Sequence, residues 1–444
     1  MSLTSLANRL YYGDNLAVMR DKLYPESVDL VYLDPPFNSK RDYNLLFRSP
    51  QGERSEAQIT AFKDSWHWGE QADGEYDELL NQPNTDVSKM MESFRSFLGV
   101  NDMMAYLTMM ANRLIQLHRL LKPTGSLYLH CDPTASHYLK ILLDSVFGKE
   151  CYRSEITWLR SRNPKGSQHN PKSFSPDTDA ILYYAKTDKA ELHMDRIKVQ
   201  LTEAELQIKY DRTDKIGRFT DGPILRSASM GERLNLVYEY KGYTPTSAGW
   251  RVTKPKLEEI DRLGNLGWSS KGHPYRKLRI DSDTGNPIGN CWTDISSINP
   301  QAGERLGYPT QKPLSLLERI ITVSSNEEDI VLDPFCGCGT AVHAAQKLNR
   351  RWIGIDITCL AIGLIESRLQ DAFGDKCVFD VDGTPKDLES AEDLARRDKY
   401  QFQWWAVRLI DKAQPFQGMK MGADGGIDGI RFFRDIPDPQ ARRV

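Results

Sequence analysis

An apolar stretch, residues 330–332, runs straight into Asp333-Pro334-Phe335-Cys336-Gly337-Cys338-Gly339-Thr340, and a helical pattern over residues 340–348 follows. Few local patterns constrain a fold more tightly. A strand that hands over to a helix through a glycine turn belongs to a parallel α/β sheet. The glycines tolerate positive φ and let a ligand approach the backbone, while the helix offers free N–H groups to an anionic end. Some 23 residues after Asp333, Ile353-Gly354-Ile355-Asp356 puts an acid at the end of the next strand. In Rossmann-like sheets an acid at that place holds ribose hydroxyls. The spacing is not G-x-G-x-x-G, which sets aside a nicotinamide site. A lone glycine turn reads as an ordinary βα turn with a capping acid; the two linked features favour a ligand site.

The same rhythm occurs near the start of the chain. Residues 8–14 form an apolar-aromatic strand ending in Gly13-Asp14, a short helix follows, and residues 28–33 form a buried strand that stops at Asp34-Pro35-Pro36-Phe37. Two prolines exclude both helix and central strand there, so the chain leaves the sheet as a loop. A helical stripe over 102–120, a strand over 126–132 and a helix through Phe147 continue the alternation. Residues 155–160 and 179–185 read as an antiparallel pair finishing one edge of the sheet. Residues 39–100 read as a polar, acidic loop with aromatic islands, and 372–399 as an acidic connector with a short helical stretch. With 444 residues, the chain has room for two or three folding units.

Composition adds three constraints. No apolar run reaches the roughly 18 residues of a membrane span, and Met1-Ser2-Leu3-Thr4 does not resemble a signal peptide, so a cytoplasmic protein without a membrane partner is expected. Seven scattered cysteines without a C-x-x-C pair fit a reduced compartment and no zinc site; Cys336 and Cys338 are too close for ordinary zinc spacing. The net charge of −3 conceals an asymmetry: residues 51–100 carry four basic against ten acidic side chains, residues 251–280 eight against three. Residues 190–300, rich in Gly, Pro, Tyr, Trp and basic side chains, lack the βα rhythm and read as an inserted module.

The Asp-Pro-Pro-Phe loop has a chemical logic of its own. Exocyclic amines of adenine and cytosine are poor nucleophiles because the lone pair is delocalised into the ring. A carboxylate and a backbone carbonyl accepting from that amine localise and orient the pair. The prolines hold the loop rigid, and an aromatic ring at Phe37 stacks on a base swung out of the duplex. Taken alone, such a loop is equally well a proline-terminated strand.

In combination these motifs resemble the β-group amino-methyltransferases of DNA, which methylate N6 of adenine or N4 of cytosine from S-adenosylmethionine. Their catalytic [D/N/S]-P-P-[Y/F] motif matches Asp34, Pro35, Pro36 and Phe37; their F-x-G-x-G motif matches Phe335, Gly337 and Gly339. Tyr12-Gly13-Asp14 resembles the strand whose acid contacts the cofactor adenine. Tyr308-Pro309-Thr310-Gln311-Lys312-Pro313 resembles the T-Q-K-P lead-in to the helix at the methionine end. The resemblance implies a Rossmann-like, mostly parallel α/β sheet with one antiparallel edge strand, circularly permuted, because the catalytic motif precedes the cofactor motif. It implies cofactor contacts at Asp14, Thr310, Lys312, Asp333, Phe335, Gly337, Gly339, Thr340 and Asp356.

It also divides the chain into a catalytic part (1–189), a target-recognition insert (190–300), a cofactor part (301–372), a linker (373–399) and a tail (400–444). Double-stranded DNA is the expected partner, met in the insert by Arg251, Lys254, Lys256, Lys271, Arg276 and Lys277 interleaved with aromatics. A solvated surface over a small aromatic core is the alternative for each of these taken singly. A homodimer or a restriction subunit is a further expected partner.

Adenine is the expected base, given Asp at the first catalytic position, with N4-cytosine the alternative. His130 reads as a structural histidine, and the amine's proton needs no dedicated acceptor. Trp66 and Trp68 are candidates to close over a flipped base. The tail, with Asp424-Gly425-Gly426-Ile427-Asp428-Gly429, resembles the start of a restriction-endonuclease-type domain. No lysine follows Lys420, so only a fragment of such a site is present. A restriction nuclease component and a non-catalytic DNA-binding regulator are the competing function classes.

Overall fold

Apolar strand runs of four to six residues dominate the centre of the molecule, and their burial on both faces makes them parallel strands of a covered sheet. A computed structural model describes residues 8–36, 41–48, 54–64, 67–161, 174, 177–199, 201–282, 285–299, 301–308, 310–410, 413–415 and 429–430. The chain divides into two units, residues 1–196 with 289–444, and residues 197–288.

The first unit opens with β1 (Asn8–Tyr12), α1 (Asn15–Lys22) and β2 (Val28–Leu33). A hairpin of β3 (Arg41–Arg48) and β4 (Arg54–Asp64) follows, then helices α2 (Glu70–Leu80), α3 (Thr85–Leu98) and α4 (Asp102–Leu120). Next come β5 (Leu121–Cys131), α5 (Ser136–Phe147), β6 (Tyr152–Leu159) and β7 (Thr178–Ala185).

The second unit holds β8 (Lys198–Val199), α6 (Glu203–Lys209), β9 (Arg212–Thr213), β10 (Arg218–Gly222), α7 (Lys254–Arg262), β11 (Leu266–Trp268), β12 (Pro274–Arg279) and β13 (Asn286–Pro287). The first unit then resumes with β14 (Cys291–Trp292), α8 (Leu314–Ser324), β15 (Ile330–Asp333), α9 (Thr340–Lys347), β16 (Arg351–Asp356), α10 (Cys359–Phe373), β17 (Phe379–Asp382), α11 (Leu388–Arg397) and α12 (Lys399–Arg408).

Nine strands form one sheet in the order β14-β6-β7-β5-β2-β15-β16-β1-β17. All neighbours are parallel except at β7, which runs antiparallel to β5 and to β6. The expected fold class therefore holds, with one correction. The antiparallel strand is internal, because β6 turns back to the common direction and β14 extends the sheet beyond it. Val31 and Leu33 of β2, Leu332 of β15 and Leu127 and Leu129 of β5 share one buried cluster with α1 to α5. Alternation then puts Leu30, Tyr32, Tyr128, His130, Val331 and Asp333 on the opposite face. Tyr128 Oη meets Ser324 Oγ of α8 there at 2.6 Å. Helix α4 is buried around most of its circumference, as its near-continuous apolar run requires.

Two stretches read as loop or connector are structured. Within residues 39–100, α2 and α3 bury Tyr76, Leu79, Val87, Met91 and Phe94 in the main core. Their acids, apart from Glu75 beside Arg113, lie on the outward faces, which hid the apolar stripe. Within 372–399, β17 pairs in parallel with β1 as an edge strand. Helix α12, assigned to the tail from sequence, buries Trp404 with Tyr308, Cys338, Cys359, Leu360 and Leu394. The Asp-Gly-rich turn at 424–428 lies outside the described residues. Beyond α12, Gln414–Pro415 pairs with Gly429–Ile430 as a two-stranded ladder.

In the second unit, β11-β12-β10-β9 form a four-stranded antiparallel sheet. Trp250, fully buried, centres a cluster of Ile224, Leu257, Ile260 and Leu266. The unit's two ends are tied by β8 and β13, with Lys198 opposite Pro287. Among the described residues, no helix is long and apolar enough to cross a membrane.

Candidate active site

Parallel strands deliver their carboxyl ends to one edge of the sheet, and loops leaving that edge build sites there. At that edge β2, β15, β16 and β1 end in Asp34, Asp333, Asp356 and Gly13-Asp14, around a cavity of about 350 Å³. Pro35 and Pro36 stop β2 and put Asp34 on the cavity wall. Phe37 lies outside the described residues. Lys312, at the lead-in to α8, donates to both oxygens of Asp34, at 2.7 and 2.6 Å, and to Thr310 O at 3.3 Å. The pair is largely enclosed, with side chains 16% and 9% exposed. Lys312, assigned from sequence to the cofactor end, thus has its ammonium on the catalytic-motif acid.

The glycine turn has the geometry its sequence requires. Gly337 and Gly339 have φ of 49° and 72°. A Cβ on Gly339 would meet Ile365 at 2.7 Å, and one on Gly337 would meet the Tyr308 ring at 3.1 Å. Thr340 opens α9 and accepts from the buried Arg368 at 3.1 Å. Asp356 accepts from Gly337 N (3.0 Å), Thr358 N (2.9 Å) and Thr358 Oγ1 (2.8 Å), so it joins the glycine turn to the start of α10. Burial pushes its carboxyl up to about 6 despite these donors. Asp333 accepts only the Phe335 N–H among the bonds seen, at 3.1 Å. Burial raises its carboxyl well above the carboxylate range, and the nearby Asp34 and Asp356 raise it further.

Asp14 caps α1, accepting from Leu16 N and Ala17 N, and receives Arg113 Nη2 at 2.9 Å. Arg113 was not singled out from sequence. Its guanidinium is buried against the cavity and also donates to Asn15 Oδ1 at 2.6 Å, while Asn15 Nδ2 reaches Pro334 O at 2.8 Å. Arg113 thus couples α4 to the end of β1 and, through Asn15, to the end of β15. The signal available was a single arginine within the apolar run of α4. Tyr32 and Tyr308, also on the cavity wall, were likewise not named as site residues.

Other sequence candidates fall elsewhere. Trp68 donates to Asp73 at 2.8 Å and stacks beside Tyr76 and Arg95, which ties it to α2 and α3; Trp66 lies outside the described residues. Cys336 and Cys338 are buried, and burial pushes both thiols up, which leaves them as packing groups. In the second unit Arg251, Lys254, Lys256, Lys271 and Arg276 are exposed. Lys256 pairs with Glu259 (2.7 Å). Lys277 is half-buried and pairs with Asp214 (2.7 Å) beside Arg279, so its ammonium is committed inside that unit.

Residues 28–365 match N6_N4_Mtase, a family described as DNA methylase. Type II methyltransferase M.EcaI of Enterobacter cloacae is 29% identical over 370 residues, which span 82% of this chain and 69% of that protein. The Type III restriction-modification enzyme StyLTI Mod subunit of Salmonella typhimurium is 26% identical over 359 residues, spanning 77% of this chain and 50% of that protein. Against the solved PvuII DNA methyltransferase, cytosine-N4-specific, identity is 11% and the TM-score 0.40, over 91% of this chain and 93% of that one.

Proposed function

The chain belongs to the N6_N4 family of DNA methylases, S-adenosylmethionine-dependent enzymes, and from that premise we propose that it methylates N6 of an adenine flipped out of double-stranded DNA. The observation that carries this reading is the Asp34 carboxylate, held by Lys312 on the wall of a cavity that the glycine turn also lines. The acids of the cavity fit S-adenosylmethionine. Its positive charges relieve the cost of ionising Asp333 between Asp34 and Asp356. Asp356 would accept its ribose hydroxyls, and Gly337, on the cavity wall, would leave room for it beside the turn. When bound, it supplies an electrophilic methyl group on sulfur.

The residues of the chain act on the other reactant. Asp34 and the Pro35 carbonyl accept hydrogen bonds from the amine and draw its lone pair out of conjugation with the ring. Lys312 fixes both carboxylate oxygens, and a preorganised acceptor costs no reorganisation during reaction. Phe37, next in sequence, is the aromatic ring assigned to stack on the base. DNA is held by the second unit, which carries sixteen lysines and arginines against twelve acids. Arg251, Lys254, Lys271 and Arg276 are its exposed contacts; Lys256 serves once released from Glu259, and Lys277 supports the unit from within. The Mod-subunit relative points to a restriction-modification setting, with a restriction subunit as partner.

Incubating the protein with S-adenosylmethionine and mixed-sequence DNA, followed by mass spectrometry of the digested nucleosides, tests the reading. N6-methyladenine is expected. N4-methylcytosine without N6-methyladenine overturns the choice of base, and an absence of any methylated base overturns the transfer.

A further inference from the structure

The face of the sheet opposite the main core carries a buried polar chain that leads away from the cavity. Tyr32, 2% exposed and on the cavity wall, places its hydroxyl 3.0 Å from His130 Nδ1. His130 is wholly buried, and its Nε2 lies 3.0 Å from Asp179 Oδ2. Asp179, 3% exposed, has its other oxygen 3.1 Å from Arg160 Nε. The three residues come from β2, β5 and β7, and the edge of Trp158 closes over the imidazole at 5.6 Å. Three polar side chains buried diagonally across three neighbouring strands are costly unless paired.

The direction of the hydrogen bonds follows from the acid. Burial raises the Asp179 carboxyl, but its hydrogen bond with His130 and the charges of Arg160 and Lys312 act against that, and it lies below its ordinary value. An ionised carboxylate only accepts, so His130 Nε2 carries the hydrogen. In the neutral imidazole Nδ1 is then the bare nitrogen, to which Tyr32 donates. One lone pair of the phenol oxygen remains for a donor arriving in the cavity. Burial, with Asp34 and Asp333 nearby, pushes the phenol well above its ordinary range, so it carries a proton throughout and passes one on only by receiving another.

We propose that Tyr32, His130 and Asp179 form the proton relay of the methyl transfer. The inference rests on the methyltransferase reading above. Methylation leaves the amine nitrogen positively charged. Of its two hydrogens Asp34 keeps one; the other leaves the Pro35 carbonyl for Tyr32 Oη and departs from nitrogen as the phenol's own proton passes to His130 Nδ1. The products are a neutral methylated amine, a neutral phenol and an imidazolium facing the Asp179 carboxylate. Tyr32 is the catalytic residue of the relay, and Asp179 positions and charges the imidazole.

Two measurements on the full chain test this. In ¹⁵N-histidine-labelled protein without cofactor or DNA, His130 is expected as the Nε2-protonated tautomer, with its Nδ1 resonance moving in Tyr32→Phe. A Nδ1-protonated imidazole overturns the relay. In single-turnover methylation at saturating cofactor and DNA, Tyr32→Phe is expected to slow transfer by at least about tenfold, the low end for general acid–base groups. Its affinities for S-adenosylmethionine and DNA stay within about twofold of wild type. Transfer at the wild-type rate overturns the proposal, as does a slow rate that follows lost cofactor affinity. If the wild-type chain transfers no methyl group, the methyltransferase reading fails, while the tautomer still decides whether the relay is set to accept a proton.

Discussion

Asp34 and Asp356 end neighbouring loops of one sheet edge yet differ in what surrounds them, and their expected behaviour differs accordingly. Asp34 is neutralised by Lys312 on the cavity wall; Asp356 is buried among neutral donors. Asp34→Asn keeps the shape but weakens the acceptor, and is expected to cut the single-turnover rate by at least about 100-fold, the order lost with one preorganised polar group. Cofactor affinity by calorimetry should stay nearly unchanged. Asp356, with its carboxyl raised to about 6, predicts a pH dependence of binding. On the proposed reading, the ionised oxygens would accept ribose hydroxyls above that value; below it the added proton removes an acceptor. S-adenosylmethionine affinity should therefore fall as pH drops below about 6, by at most about tenfold per unit. Asp356→Asn should bind weakly and keep only the pH dependence that Asp333 contributes; a wild-type affinity flat from pH 7 to 5 would refute the assignment.

Among the helices, α12 has the least expected part. Its Trp404 packs with Tyr308 and Cys338, which touch or form the glycine turn, and its Gln401 accepts from Cys359 N at 2.8 Å. Removing a buried indole leaves a cavity and typically costs about 3–5 kcal/mol. Trp404→Ala is expected to lower stability in urea titrations by that order and to weaken cofactor binding through Tyr308. If α12 were a detached fragment, the substitution would leave the midpoint where it is. The reason this helix was assigned to a separate tail is plain from its composition: Phe402-Gln403-Trp404-Trp405 is aromatic without a clear period, and only its partner α10 shows which face is inside.

For the molecule as a whole, the two ends of the second unit are hydrogen-bonded neighbours, so residues 197–288 can be replaced by a short linker without stretching the chain. Strands so paired lie about 5 Å apart. The shortened protein is expected to melt cooperatively and bind S-adenosylmethionine like the full chain. Its DNA affinity at fixed salt, read by fluorescence anisotropy, should fall by at least about tenfold, because phosphate contacts dominate such affinity. Undiminished DNA binding would place the contacts in the sheet-bearing unit instead. The mean charge of −3 is no guide to this division, since the second unit carries an excess of basic residues and the remainder of the chain an excess of acids.

Much was legible in the linear chain: the alternation of strands and helices, the proline stop at Asp34, the glycine turn and the acid at Asp356. Each depends on local rules of backbone conformation and period, which act over a few residues. The helices α2 and α3, the edge strand β17 and the internal position of β7 were not legible, because strand order and the choice of buried face depend on partners far away in sequence. Chemistry follows the same division. The sequence by itself determined which acids and glycines reach the ligand edge. Only the tertiary structure decided that Lys312, 278 residues from Asp34, neutralises it. It also decided that Arg113 joins two strand ends, and that Tyr32, His130 and Asp179 share one buried line. A polar side chain is costly to bury alone, and its partner is chosen by position in space, which chain order does not encode.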